Sequence, residues 1–132
     1  MKKLIVIICF GLFSCNQLGI IKNLGEITSK DGMGNSVKLK YKITNHEEFK
    51  KHYKFDDFKK LIDKTENTAK GQLKRELTYV PLEISLYILD DTTRTHLIFA
   101  GSNAYGTPGK LEAYCTFVGL EMIDEFVFSE ND

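Results

Sequence analysis

The chain has 132 residues, 18 basic and 18 acidic side chains, a formal net charge of zero and 42% hydrophobic residues. That composition excludes a wholly disordered or collagen-like chain, and zero net charge supplies no general pull toward nucleic acid. The length suits one domain rather than two.

Met1-Lys2-Lys3 makes a positive start, and Leu4 to Phe13 follows as an uncharged, mostly apolar run. The run is too short for a bilayer, which needs roughly 20 residues, and it fits the apolar part of a secretory signal peptide. Ser14 then supplies the small residue before Cys15. Leu12-Phe13-Ser14-Cys15 resembles the lipobox of bacterial membrane lipoproteins. The resemblance implies that residues 1–14 are removed and that Cys15 becomes a diacylglyceryl cysteine, fatty-acylated at the new N-terminus. The first expected partner is therefore a membrane, reached through Cys15. Asn rather than Asp follows at position 16, so the resemblance favours the outer membrane of the cell envelope. Two or more acyl chains on one residue satisfy the rule that stable anchoring takes more than one chain. Cys9 leaves with the signal and Cys15 is lipidated, so Cys115 has no thiol partner within the chain.

Residues 15–25 read as the lipidated N-terminus and a tether, and 26–132 as a single domain. Glu26 to Lys30 reads as a strand, and Asp31-Gly32-Met33-Gly34-Asn35 as a turn. Val37, Leu39, Tyr41 and Ile43 then alternate with Lys38, Lys40 and Lys42, a period of two that predicts a strand with one wet face. Thr44-Asn45-His46-Glu47 has the form of a capping box opening a helix. Phe49 and Tyr53 share a face, but the phase breaks at Lys54-Phe55-Asp56, leaving open one kinked helix or two. Asp56 is placed to cap the second stretch, with an apolar stripe of Phe58, Leu61, Ile62, Thr65 and Ala69, and Gly71 to end it.

The remainder predicts strands. Leu82, Ile84, Leu86 and Ile88 alternate behind Pro81, which marks a bulge, an edge or a strand start. Asp90 to Thr93 turns the chain, Thr95 to Gly101 forms a strand and Ser102 to Gly109 a loop. Lys110 to Val118 and Met122 to Ser129 complete the set. The class is α+β: an antiparallel sheet of about five or six strands, with one or two helices over about 46–70 packed on one face.

Three groups of residues compete for a functional role. Glu48, His52 and Asp56 are spaced i, i+4 and i+8, as metal ligands on one helix face would be. The phase break turns Asp56 away, so a solvated face with i,i+4 pairing is the preferred reading, and neither metal nor cofactor is expected. Cys115 shares a strand face with Leu111, Ala113 and Phe117 and reads as core. Candidate partner-binding residues are Lys38, Lys40 and Lys42, together with Asn103 and Tyr105 in the loop of small residues. The plainer reading of the lysines is protection of an edge strand. With no catalytic motif in view, the expected function is a non-catalytic binding module. Its second partner would be an envelope protein or polymer, with no nucleic acid. The alternative is a small envelope hydrolase or ligand-binding enzyme that uses Glu48 and His52 or a pocket the sequence does not reveal.

Overall fold

The computed structural model describes residues 20–102 and 106–129. Strands β1 (Leu24–Lys30) and β2 (Ser36–Thr44) form a hairpin, followed by helices α1 (His46–His52) and α2 (Phe55–Gln72) and a 3-10 turn at Glu76–Thr78. Strands β3 (Val80–Leu89), β4 (Thr92–Ser102), β5 (Pro108–Val118) and β6 (Glu121–Ser129) complete one six-stranded sheet whose spatial order follows the chain. The α+β class with helices on one face is as the sequence predicts.

The sheet is mixed, however: β2 and β3 run parallel, while every other neighbouring pair is antiparallel. The reason is the helical crossover. Two helices return the chain to the end of the sheet where β2 began, so β3 starts in the same direction.

Two helices form because Tyr53 (φ −130, ψ 138) and Lys54 (φ −88, ψ 171) are extended. The break lets Phe49, Tyr53 and Phe58 all be buried in spite of their irregular spacing. The expected caps differ. Asn45, left-handed at φ 58, precedes α1, and its amide donates to the Ile88 carbonyl at 3.0 Å. For α2 it is Asp57, not Asp56, whose carboxylate accepts the Lys54 N–H at 3.0 Å. Gly71 does not end α2; the chain turns extended at Leu73, a buried residue packed against Gly101.

The helices cover the face formed by Leu39, Tyr41 and Ile43 of β2, Ile84, Leu86 and Ile88 of β3, Leu97 and Phe99 of β4, and Ala113 and Phe117 of β5. Within that apolar layer runs a row of hydroxyls. The Tyr53 hydroxyl donates to the Gly119 carbonyl (2.9 Å) and lies 2.7 Å from Thr93 Oγ1, while Thr65 Oγ1 donates to the Leu61 carbonyl and meets Thr95 Oγ1 at 2.7 Å. Buried hydroxyls paired in this way avoid the cost of unmade hydrogen bonds. Pro81 does mark a bulge: the β3–β4 register shifts between Pro81 and Glu83, which turns Leu82 out to solvent, away from its expected core position.

The expected tether is shorter than residues 16–25. Ile21 is buried, its carbonyl lies 2.6 Å from His46 Nε2, and the Asn23 carbonyl accepts the Ile43 N–H at 2.8 Å. The chain therefore belongs to the domain from Ile21 onward. It enters at the end of the sheet that carries the C-terminus of β2, the β3–β4 turn and the β5–β6 turn. The β4–β5 connection leaves at the opposite end, where Ser102 pairs with Pro108.

Candidate functional site: the open face of the sheet

Among the described residues no helix lies over the second face of the sheet, and the register determines what it displays. Across β2, β3, β4, β5 and β6 one row reads Lys42, Ser85, His96, Tyr114 and Phe126. Its last three members form a column of stacked rings. His96 and Tyr114 lie 4.2 Å apart at 7°, and Tyr114 and Phe126 lie 4.9 Å apart at 13°. Those separations are close to the spacing of neighbouring strands, so the ladder follows directly from flat side chains in register. Glu112, one row along, brings Oε1 to 2.8 Å from His96 Nε2. Partial burial, with the Glu112 charge as a smaller cause, raises the Tyr114 hydroxyl above its ordinary pKa.

Lys38, Lys40 and Lys42 stand exposed on this face as the alternation predicts. The edge-protection reading does not survive, because β2 lies between β1 and β3. Nor is the row a bare cationic strip: Glu26 stands opposite Lys40 on β1 and Glu83 beside it on β3. Glutamates on both sides make this a mixed-charge surface. The next row holds Thr44, Tyr87, Arg94, Thr116 and Asp124, and a hollow of about 260 Å³ opens there among Tyr87, Leu89, Asp90, Asp91, Thr92 and Arg94. Asn103 and Tyr105 lie outside the described residues, as does Cys15.

The competing groups resolve as follows. Glu48 and His52 meet at 3.2 Å on the solvent side of α1, with Lys51 3.5 Å from the same carboxylate. The His52 hydrogen bond, with Lys51 helping, holds the Glu48 carboxyl below its ordinary value. Asp56 sits beyond the break on α2, and no cluster of three His, Cys, Asp or Glu able to hold a metal occurs among the described residues. Cys115 is buried against the helices, and burial pushes its thiol pKa up, which keeps it protonated and unreactive.

One buried charge escapes the sequence pattern. Glu66 is 5% exposed on α2, and Ser29 Oγ of β1 donates to both its oxygens, at 2.7 and 2.9 Å. Glu66 continues the Phe58, Ile62 spacing of four, a signal its charge obscures. The Tyr79 hydroxyl is buried near the same carboxylate and has no hydrogen-bond partner among the described residues, while Lys70 Nζ lies 5.1 Å from the Tyr79 ring centre. Burial raises the Glu66 pKa despite Ser29 and Lys70, which lower it. A carboxyl raised in the folded state binds its proton more tightly there than in the unfolded chain. Stability therefore falls as pH climbs from the ordinary 4.5 through the raised value. Glu66→Gln is expected to flatten that decline and to leave the variant relatively more stable at neutral pH. Urea unfolding at pH 4.5 and pH 7 measures it, and parallel pH profiles for the two proteins would refute it.

Among the described residues no helix is long and apolar enough to cross a membrane. No protein-family model matches this chain, and neither a curated protein nor a solved structure matches it.

Proposed function

We propose that this chain is a bacterial envelope lipoprotein, anchored through lipidated Cys15, whose domain is a non-catalytic binding module. The membrane reading rests on the ordered signal of Met1 to Cys15, and Asn16 favours the outer membrane. The binding reading is carried by the open sheet face. Among the described residues one face of the six-stranded sheet carries no helix, and it displays the His96–Tyr114–Phe126 ladder on β4–β6 and, across β3, the Lys38, Lys40 and Lys42 row on β2. Aromatic rings at a protein surface are efficient contact groups, and Phe126 at the end of the ladder is exposed. The buried, protonated Cys115 and the solvated Glu48–His52 pair support binding over catalysis. The partner is an envelope protein or polymer that meets the open face or the β4–β5 connection bearing Asn103 and Tyr105. Cys15→Ser is expected to move the protein from the detergent phase to the soluble fraction. Mass spectrometry of the wild-type N-terminus checks the same point, and an unmodified Cys15 thiol would overturn the anchoring.

A further inference from the structure

Several exposed apolar side chains gather at the end of the sheet where the chain enters. Ile20 (58%), Leu24 (59%), Tyr87 (39%), Leu89 (57%) and Val118 (41%) all lie there. The register fixes four of them on the open face: Leu24 opposite Lys42, Tyr87 opposite Arg94, and Leu89 and Val118 on either side of Thr92. The entry point and the β3–β4 turn are neighbours, since Asn23, His46, Leu89 and Asp90 line one common cleft. Solvent-exposed apolar groups clustered in this way mark a surface that meets something less polar than water.

Charge and chain length say what that is. The hollow behind Leu89 offers one cation, Arg94, two carboxylates, Asp90 and Asp91, and the apolar sides of Tyr87 and Leu89. Among the described residues Arg94 takes part in no ion pair. A cation beside two anions over an apolar floor complements a zwitterionic headgroup, whose phosphate meets the guanidinium and whose ammonium meets a carboxylate. Ile21, which is buried, lies six residues after Cys15, and even a fully extended chain spans at most about 22 Å between them. An anchored chain would thus keep this end against the lipid.

We propose that the chain-entry end of the domain docks on the bilayer, with Leu89 at the interface and the Arg94 hollow holding a zwitterionic phospholipid headgroup. The proposal rests on the anchoring reading for its geometry. It sets the orientation of the whole module: the eleven-residue β4, about 35 Å long at 3.3 Å per residue, points the β4–β5 connection away from the membrane. It also assigns the chain-entry end to lipid and leaves the ring ladder and the β4–β5 connection for the partner.

The test uses the full chain reconstituted in vesicles of phosphatidylethanolamine with a minor fraction of phosphatidylglycerol. Leu89→Cys and Met33→Cys, both in a Cys115→Ser background, carry a pyrene label. Both positions are exposed, so labelling leaves the fold intact, and Met33 lies in the β1–β2 turn at the far end. Lipids spin-labelled near the headgroup are expected to quench the label at 89 several-fold more than the label at 33. Arg94→Gln is expected to weaken the quenching at 89, and an unchanged signal would overturn the headgroup assignment. Equal quenching at the two positions, on a chain whose Cys15 carries lipid by mass, would overturn the docking and leave the anchor standing. Pyrene excimer emission from position 89 would hand the rim to a second copy of the chain and likewise overturn it. If Cys15 proves unlipidated, the anchor fails on its own; with Cys9 and Cys15 also replaced by Ser so that position 89 alone is labelled, quenching by the added vesicles then supports docking while its absence refutes it.

Discussion

Phe58→Ala is expected to cost about 3–5 kcal/mol of stability, the usual penalty for deleting a buried phenyl ring. Phe58 is fully buried where α2 meets the sheet, and it is the hub of an aromatic cluster. Its ring lies 5.0 Å from Tyr41 at 66°, 6.1 Å from Phe49 at 89° and 6.0 Å from Phe55 at 47°. Edge-to-face contacts of this kind add to burial, and none of the three neighbours can follow the lost ring without leaving its own element. Because Tyr41 belongs to β2 and Phe49 to α1, the cavity would loosen both helices from the sheet together. Urea unfolding by circular dichroism measures the loss, and a cost below about 1 kcal/mol would show that the site collapses freely.

Gly32→Ala is expected to cost about 2–4 kcal/mol, more than a turn glycine with an ordinary neighbourhood would. The β1–β2 turn packs on the 3-10 turn. A Cβ on Gly32 would stand 1.9 Å from the Glu76 carbonyl oxygen and 2.8 Å from the Leu77 carbonyl carbon, both backbone atoms that cannot swing aside. The Gly32 N–H also donates to the Tyr79 carbonyl at 2.7 Å, so moving the turn away breaks a hydrogen bond as well. Gly34, two residues on, is the control. Its φ of 86 disfavours a side chain, but nothing lies within 4 Å of the added atom. Gly34→Ala should therefore cost only about 1–2 kcal/mol, for the left-handed backbone alone. Similar thermal unfolding of the two variants would refute the close-packed reading of Gly32.

Local patterns carried most of the architecture. The alternation of Val37, Leu39, Tyr41 and Ile43 with three lysines is legible because a strand's two faces repeat every two residues. The helical stretch is legible from Phe58, Leu61, Ile62, Thr65 and Ala69 for the corresponding reason at a period near four. Pro81, which lacks an N–H, announced a bulge, an edge or a strand start, and the β3–β4 register makes it a bulge. The caps were less legible: Thr44 and Asp56 have capping side chains, yet Asn45 and Lys54 precede the helices, and Asp57, in the first turn of α2, accepts the Lys54 N–H. The left-handed Asn45 moves the cap of α1 one position later, and the extended Lys54 moves that of α2 two positions earlier.

The open face shows where such reading stops. His96, Tyr114 and Phe126 are far apart in the chain, and nothing local to any of them tells that the rings stack. The same holds for Glu26 and Glu83 beside Lys40, whose lysine row had suggested a strand edge. Glu66 was absent from the predicted stripe, although its spacing from Phe58 and Ile62 places it on the buried side.

By itself the sequence determined the approximate strand and helix segments, the wet and dry sides of β2 and of β3 beyond its bulge, the core position of Cys115 and the class of the domain. All of these depend on periodicity, which acts between residues a few positions apart. Only the tertiary structure decided that β2 and β3 run parallel, that β2 is an interior strand, that Ile21 is part of the fold, and which side chains stand together on the open face. These depend on pairing between distant segments. A shift of one residue in register would turn every side chain of a strand to the other face, and that register is settled by the packing of the whole sheet against its helices.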